Sequence, residues 1–192
     1  MKVAVLAVQG AFIEHEKMLQ DLGIECVELR KKENLQENYQ GIVLPGGEST
    51  VQGKLLKELD MYDYLQGQIK EGMPVLATCA GLILLAEKLA GDETVHFGTL
   101  PVTVKRNAYG RQLGSFSVEE EVKGIGRFPM VFIRAPYIEQ INGVIDGDNG
   151  VQVVSKVQER IVGVQYKNQM AYSFHPELTN DTRIHEKFVA ML

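Results

Sequence analysis

The sequence predicts an α/β fold, a three-layer sandwich in which helices flank a mostly parallel central sheet, with antiparallel additions in the C-terminal half. In the first half, short apolar runs alternate with segments of helical periodicity, as in parallel sheets with right-handed crossovers. Glycine or proline interrupts the chain after these runs. Beyond residue 95, strand-like segments follow each other with turns between them, which indicates antiparallel pairing.

Length and composition favour one globular domain over residues 1–192. The chain has 45% hydrophobic and 23% charged residues, and its net charge of −5 argues against a nucleic-acid or anionic-membrane surface. No segment approaches the roughly 18 apolar residues of a membrane span, and the N-terminus lacks the features of a signal peptide. Two cysteines do not make a disulfide framework. We therefore expect a cytoplasmic protein.

The first half predicts three strand–helix units. The first helix carries His15 on its inward stripe and ends at Gly23, and the second begins with Ser49 and Gln52 spaced as a capping box. The third helix runs over 82–90, where Gly91 ends it. The predicted strands are 3–8, 24–29, 41–44 and 73–77.

The second half predicts further strands and a last helix. Residues 167–169 read as a hairpin connection, and Thr179 or Asn180 can cap a helix whose apolar stripe includes Ile184 and Phe188. The predicted strands are 100–104, 112–118, 130–134, 151–157, 161–166 and 170–174.

Cys79 lies where a predicted buried strand turns directly into a helix. A strand–turn–helix around one nucleophilic side chain is the geometry of a nucleophile elbow, and the helix N-terminus favours a thiolate. Ala80 and Gly81 are small enough to allow the turn. A buried, inert cysteine is the alternative for this residue taken alone.

His175 and Glu177 supply the partners that a catalytic cysteine needs. Imidazole can stabilise a thiolate and protonate a leaving group, and a carboxylate two residues further on can orient the ring. An extended backbone would place both side chains on the same side of the chain. Taken alone, each residue has a structural explanation. His175 could be a hydrogen-bonded histidine at a strand end, and Glu177 could be a carboxylate that stabilises a helix N-terminus.

Two further groups of residues are candidates for substrate contacts. Gly46 and Gly47 offer backbone amides for an oxyanion hole, although a tight Pro-Gly turn explains them equally well. Arg106 and Arg134 lie near predicted strand ends, where a guanidinium can hold a carboxylate, and surface salt bridges are the alternative. The other histidines have no metal-ligand spacing with a cysteine, and Cys26 reads as a core residue.

Six stretches along the chain together resemble the class I, or triad, glutamine amidotransferases, and within that class the glutaminase subunits of pyridoxal 5′-phosphate synthase. They follow the family order, and the second and fourth distinguish this branch from other amidotransferases. The stretches are Val-Gln-Gly-Ala at 8–11, Leu-Pro-Gly-Gly-Glu-Ser-Thr at 44–50, Thr-Cys-Ala-Gly-Leu at 78–82, Arg-Asn-Ala-Tyr-Gly-Arg-Gln at 106–112, Phe-Ile-Arg-Ala-Pro at 132–136 and Ser-Phe-His-Pro-Glu-Leu-Thr at 173–179.

The resemblance implies a role for each matching residue. Cys79 corresponds to the nucleophile, His175 to the general base and acid, and Glu177 to the orienting carboxylate. The remaining matches correspond to substrate and oxyanion contacts. They are Gly46, Gly47, Glu48 and Ser49 in the glutamine loop, Arg106, Ile133 and Arg134 in the glutamine site, and Gln9 and Gly10 near the oxyanion loop and the partner interface.

The resemblance also implies the reaction and the partner. The family hydrolyses L-glutamine to glutamate and ammonia without a cofactor or metal, and passes the ammonia to a (β/α)₈-barrel synthase subunit in a complex of twelve and twelve subunits. One departure is Val51-Gln52-Gly53-Lys54, where relatives more often carry threonine and paired arginines. This helix is expected to lie away from the bond that is cut, so we expect the difference to affect contacts with the partner rather than catalysis.

Alternative functions remain on the same fold. Another class I amidotransferase would send ammonia to a different acceptor, and a regulatory module would keep the fold without catalysis. The complete set of Cys79, His175 and Glu177 argues against the second alternative. A cysteine peptidase or redox sensor would not need the Gly-Glu-Ser loop together with two carboxylate-binding arginines.

Overall fold

A computed structural model describes residues 1–106, 114–145, 147 and 149–192. Its strands join into one twelve-stranded sheet, and the main path runs β2-β1-β3-β4-β12-β11-β10-β7-β8. The strands are β1 (Lys2–Leu6), β2 (Glu25–Leu29), β3 (Ile42–Leu44), β4 (Val75–Thr78), β5 (Ala86–Leu89), β6 (Leu100–Lys105), β7 (Ser115–Val122), β8 (Gly126–Ile133), β9 (Tyr137–Ile141), β10 (Gln152–Val157), β11 (Arg160–Tyr166) and β12 (Gln169–Tyr172).

The sheet combines a parallel half with an antiparallel half, as the sequence predicts. Strands β2, β1, β3, β4 and β12 pair in parallel, and β11, β10, β7 and β8 continue the path with antiparallel pairs. The pair of β11 and β12 places Tyr166 opposite Gln169, which confirms the predicted hairpin. The predicted mixed α/β fold is therefore confirmed.

Two apolar cores lie on opposite faces of the sheet. Successive side chains of β1 alternate between them: Ala4 and Leu6 enter one core, and Val3 and Val5 enter the other. The first core packs against helices α2 to α4, and the second against α1 and α5. The helices are α1 (Phe12–Asp21), α2 (Ser49–Glu58), α3 (Tyr62–Lys70), α4 (Ala80–Leu85) and α5 (Arg183–Val189).

The predicted helix over 82–90 is wrong in its second half. Helix α4 ends at Leu85, and the chain continues at once as β5, which pairs in parallel with β6. Ala86 and Leu89 are buried while the two residues between them are more exposed. The pairing with β6 is non-local, so apolar periodicity within the segment did not reveal it.

The capping box predicted at Ser49 and Gln52 is also wrong. Ser49 is the first residue of α2, and Glu48 at the N-cap position makes no side-chain capping bond. The side chain of Gln52 turns back to the loops before the helix instead, as described below.

Other elements differ in their bounds or were not predicted. Helix α3 and strand β9 were not predicted, and β7 and β8 are displaced from the predicted segments. The start of the predicted strand 112–118 and residues 107–112 of the arginine stretch lie outside the described residues. None of the helices in the described residues has the length and apolarity needed to cross a membrane.

We predict that Gly81→Ala destabilises the fold, because a Cβ atom at this position would overlap with the carbonyl oxygen of Leu44 in the neighbouring strand. Overpacking of this kind costs about 1–3 kcal/mol of unfolding free energy. Urea denaturation measures the change. The matched control is Gly67→Ala in α3, where a Cβ atom has open space. Alanine there should stabilise the helix by about 0.5–1 kcal/mol, and equal effects at both positions would contradict the steric explanation.

Candidate active site

Several strand ends meet around one cleft of about 360 Å³. Its volume is in the range of small-molecule sites. It lies at the carboxyl ends of β1, β3 and β4 and beyond the end of β12, where open α/β sheets bind their ligands. Eleven of the twelve sequence-predicted site residues line it, and the twelfth, Glu177, is buried behind His175. The eleven are Gln9, Gly10, Gly46, Gly47, Glu48, Ser49, Cys79, Arg106, Ile133, Arg134 and His175.

Cys79 occupies a strained turn between β4 and α4. Its backbone has φ 49° and ψ −100°, a left-handed region that costs a non-glycine residue of order 1–3 kcal/mol. The Cys79 N–H donates to the carbonyl oxygen of Tyr172 at 2.8 Å, which anchors the turn to β12. The side chain is 7% exposed and faces the cleft. This geometry is that of the predicted elbow.

His175 and Glu177 follow β12, but not on the extended backbone that the sequence suggested. Strand β12 ends at Tyr172, and Glu177 lies in a 3₁₀ turn over Pro176–Leu178. The turn still brings the Oε1 atom of Glu177 to 2.7 Å from Nδ1 of His175. The His175 N–H donates to the carbonyl oxygen of Val131, which fixes the turn against β8.

The electrostatics of this pair favour an ionised state. Burial would lower the pKa of His175, but hydrogen bonds to the Cys79 sulfur and to Glu177 outweigh it and raise that pKa to about 10. Burial would likewise raise the pKa of Glu177, and interactions with His15 and His175 lower it overall. The geometry is therefore suited to an imidazolium between a carboxylate and a sulfur atom.

Two loops form the wall of the cleft beside Cys79, and they hold each other. Ala11 N–H donates to the carbonyl oxygen of Gly46 at 2.9 Å, and Glu48 N–H donates to the Oε1 atom of Gln9 at 2.8 Å. Gly46 is needed for close approach, because a Cβ atom there would overlap with the ring of His175. Gln52 bridges the two loops by donating from Nε2 to the carbonyl oxygens of Gln9 and Pro45.

The two candidate carboxylate-binding arginines differ in their contacts and in their exposure. Arg106 donates to Thr50 Oγ1 at 3.2 Å and pairs closely with Asp92, and its side chain is about one-third exposed. Arg134 is mostly exposed, with Nη2 3.4 Å from Oε1 of Glu48. An exposed pair of this kind contributes little to stability, so Arg134 is free to exchange partners.

The structure adds polar residues that sequence reasoning did not connect with this site. His15 and His185 are buried behind Glu177, together with Thr78 at the end of β4. A lone histidine on an apolar stripe carries no local signal of such a contact. Within the described ranges, His, Cys, Asp and Glu side chains form no group of three or more that would suit a metal ion.

An elbow cysteine with a histidine and a glutamate, at the carboxyl edge of a mostly parallel sheet, defines the class of triad glutamine amidotransferases. Residues 5–192 match the SNO glutamine amidotransferase family, and the chain belongs to that family. A crystal structure of a glutamine amidotransferase superposes with a TM-score of 0.89 at 42% identity, over 98% of this chain and 97% of that one. The structure of PurLQS from Thermotoga maritima, at 16% identity and a TM-score of 0.69 over 98% of this chain and 97% of that one, shares the fold.

Two relatives have the same name. The pyridoxal 5′-phosphate synthase subunit PdxT of Desulfitobacterium hafniense (strain Y51) is 61% identical over 98% of this chain and 92% of its own. The subunit PdxT of Haemophilus influenzae (strain PittEE) is 50% identical over 98% of this chain and 97% of its own.

We predict that the stabilising effect of His175 depends on pH. A pKa of about 10 in the folded chain, against 6.5 for the free group, means that its contribution is complete below pH 6.5 and is lost as pH rises through about 10. Urea unfolding of the native chain and of His175→Asn should therefore show a difference in unfolding free energy that shrinks over this range. A difference that stays constant with pH would contradict the ionised pair.

Proposed function

We propose that this chain hydrolyses the side-chain amide of L-glutamine and supplies the ammonia for the synthesis of pyridoxal 5′-phosphate. The observation that carries the proposal is the arrangement of Cys79, His175 and Glu177 at the edge of the cleft. Membership of the SNO glutamine amidotransferase family and the names of the relatives support the same reaction and product.

In the proposed mechanism, the Cys79 thiolate attacks the amide carbon of glutamine, and the carbonyl oxygen becomes an oxyanion. The loop at Gly46 and Gly47 and the first amides of α4 lie beside this sulfur, and the first amides of a helix have no intrahelical acceptor. They are suited to stabilise the oxyanion. The tetrahedral intermediate collapses to a thioester as His175 gives its proton to the departing ammonia.

His175 then acts as the base for the second half of the reaction. It takes a proton from water, and the resulting hydroxide attacks the thioester carbon. Collapse of this intermediate breaks the carbon–sulfur bond, releases glutamate and restores the thiolate and the imidazolium. Glu177, which is buried against Nδ1 of His175, orients the ring and stabilises its positive charge in both halves.

Charged side chains that line the cleft are suited to bind the amino-acid end of glutamine. Arg106 and Arg134 offer guanidinium groups for the α-carboxylate, and Glu48 offers a carboxylate for the α-amino group. Ser49 and Ile133 also line the cleft.

The acceptor of ammonia is a separate chain in this proposal. Free ammonia takes up a proton in water and then ceases to be a nucleophile, so hydrolysis is useful only when the acceptor is docked. We propose a (β/α)₈-barrel synthase subunit as that partner, in a complex of twelve and twelve subunits. The names of the relatives, each a subunit of a synthase, support a partner of this kind.

Exposed apolar side chains near the mouth of the cleft favour docking on this face. Ile13 is 63% exposed on the first turn of α1, and Val51 is 44% exposed on the first turn of α2. Leu178 and Ile133, which line the cleft, are 40% and 37% exposed. Val51 belongs to the segment that departs from the family pattern, so its contact with the partner would be particular to this chain and its close relatives.

The first prediction of the proposed function concerns the nucleophile. Cys79→Ala removes the attacking sulfur, and glutamate release from glutamine, measured with the synthase subunit present, should fall by about a thousandfold or more. The matched control is Cys26→Ala, because Cys26 is half-buried in β2 and outside the cleft. Cys26→Ala should keep native turnover. Undiminished turnover in Cys79→Ala would end the triad mechanism.

The second prediction concerns docking. Ile13→Asp should weaken binding to the synthase subunit roughly tenfold or more, because an exposed apolar side chain that docking would bury is replaced by a charge. The control is Val144→Asp. Val144 is 68% exposed and lies near Pro101 at the start of β6, whereas the cleft lies beyond the other end of that strand. Titration calorimetry measures both affinities, and equal losses would contradict docking on the cleft face.

A further inference from the structure

A second layer of buried histidines lies behind the Glu177 carboxylate. His15 Nε2 is 3.4 Å from Oε2 of Glu177 and 3.1 Å from Oγ1 of Thr78. The other ring nitrogen of His15, Nδ1, is 2.9 Å from Nε2 of His185. His15, Thr78 and His185 are fully buried. A continuous row of polar contacts therefore runs from His175 through Glu177 and His15 to His185.

The fold brings these residues together from four separate elements. His15 is on α1, His185 on α5 and Glu177 in the 3₁₀ turn, and Thr78 ends β4 on the same face as Leu76, which packs in the core under α1 and α5. The sequence separations are 63 residues from His15 to Thr78 and 170 from His15 to His185. Long-range placement of two histidines behind a triad carboxylate is not required for packing, since apolar side chains would fill the same space.

The protonation of the row follows from the cost of unpaired buried donors. If His15 Nδ1–H donated to His185, the Nδ1–H of His185 would have no acceptor among the described residues, and a lone pair of His15 would face Glu177. In the opposite tautomer, His185 Nε2–H donates to His15 Nδ1, and His15 Nε2–H points to Glu177 and Thr78. The second tautomer leaves only a lone pair of His185 unmatched, which costs less.

The charges around His15 favour the same assignment. The titratable groups that face it are Glu177, His175 and His185, with Glu14 beside it on α1. Burial lowers the pKa of His15, and burial together with His15 lowers the pKa of His185 to about 2. Both rings are therefore neutral near pH 7. A neutral His15 can approach Glu177 with its Nε2–H without competing with His175 for the role of its cationic partner.

We propose that His15 is a positioning residue for the reaction, which holds the Oε2 atom of Glu177 and thereby keeps this carboxylate ionised and aimed at His175, while His185 fixes the tautomer of His15. The inference rests on the proposed function, because it extends the proposed triad to five residues. The approach of His15 Nε2 to Oε2, at 3.4 Å, is longer than an ordinary hydrogen bond, and Oε2 has no hydrogen-bond partner among the described residues. Without the donor on His15, this buried oxygen would lose that contact as well. The carboxylate would then take up a proton or turn away, and the imidazolium would lose its support.

A pair of amide variants separates positioning from packing. The amide of His15→Gln lies near the place of the ring Nε2 and can donate to Glu177, whereas the shorter His15→Asn reaches only the place of Nδ1. Both replacements are neutral and polar. The control is Phe188→Leu, which loosens the packing of α5 one turn from His185 and replaces no polar group.

The measurement is the rate of alkylation of Cys79 by iodoacetamide across pH, in a Cys26→Ala background and without glutamine or the synthase subunit. The thiolate is the form of Cys79 that reacts, and the imidazolium of His175 stabilises it. The alkylation rate therefore reports how well Glu177 keeps His175 in its charged form. We expect His15→Asn to shift the profile by about one unit to higher pH and to slow alkylation at neutral pH about tenfold. We expect His15→Gln to remain near the native profile. Phe188→Leu should lower the urea midpoint with no shift in the profile.

The outcomes distinguish the two proposals. A native profile in His15→Asn, or an equal shift in Phe188→Leu, would overturn the role of His15 and leave the triad intact. An ordinary thiol profile in the native chain would overturn the pairing of Cys79 with His175, and the role of His15 with it. Glutamate release with the synthase subunit then gives a second readout: His15→Asn should lower kcat about tenfold with little change in KM, since His15 does not line the cleft.

Discussion

The parallel pairing of β4 with β12 is the constraint on which the site depends. It aligns Thr78 with Tyr172, and one hydrogen bond from the Cys79 N–H to the Tyr172 carbonyl oxygen continues the ladder into the elbow. Both strands therefore end at the same edge of the sheet. After β4 the chain passes through Cys79 directly into α4, and beyond the end of β12 it reaches His175 just before the 3₁₀ turn. The cysteine thereby meets a histidine that is 96 residues away in sequence. A slip in this pairing would separate the two side chains completely.

The two faces of the sheet have different roles at this edge. On the face of α2 and α4, the close approach of Gly46 and the bridging amide of Gln52 shape the wall beside the sulfur. On the face of α1 and α5, the same edge has a buried polar layer of His15, Thr78 and His185. The alternation of side chains along a strand allows this division, because consecutive residues point to opposite faces. Thr78 and Cys79 are adjacent, yet Thr78 contacts His15 in the polar layer and Cys79 faces the cleft.

Local patterns in the sequence predicted the fold class and the residues that line the cleft. A strand followed directly by a small-residue turn marked Cys79, and the short spacing of His175 and Glu177 marked a pair, although the backbone between them is a 3₁₀ turn rather than extended. Non-local pairing was not predictable in this way. Helix α4 ends at Leu85 because the next residues pair with β6, and His15 contacts His185 on α5. Both features depend on distant parts of the chain, so the local sequence pattern does not predict them.

Helix α1 connects the face proposed for docking with both parts of the proposed catalytic site. Its N-terminal loop contacts the proposed oxyanion loop through Ala11 and Gln9, and Ile13, which is exposed, lies two residues before the buried His15. A ten-residue helix moves as a rigid unit, so a small displacement at Ile13 would also shift the contacts that the start of the helix makes with Gly46 and that His15 makes with Oε2 of Glu177. A loop contact alone would change only the oxyanion amides. Docking on this face, as proposed, would therefore adjust the proposed oxyanion loop and the contact of His15 with Glu177 together, because the spacing of these residues along α1 is fixed by the helix itself.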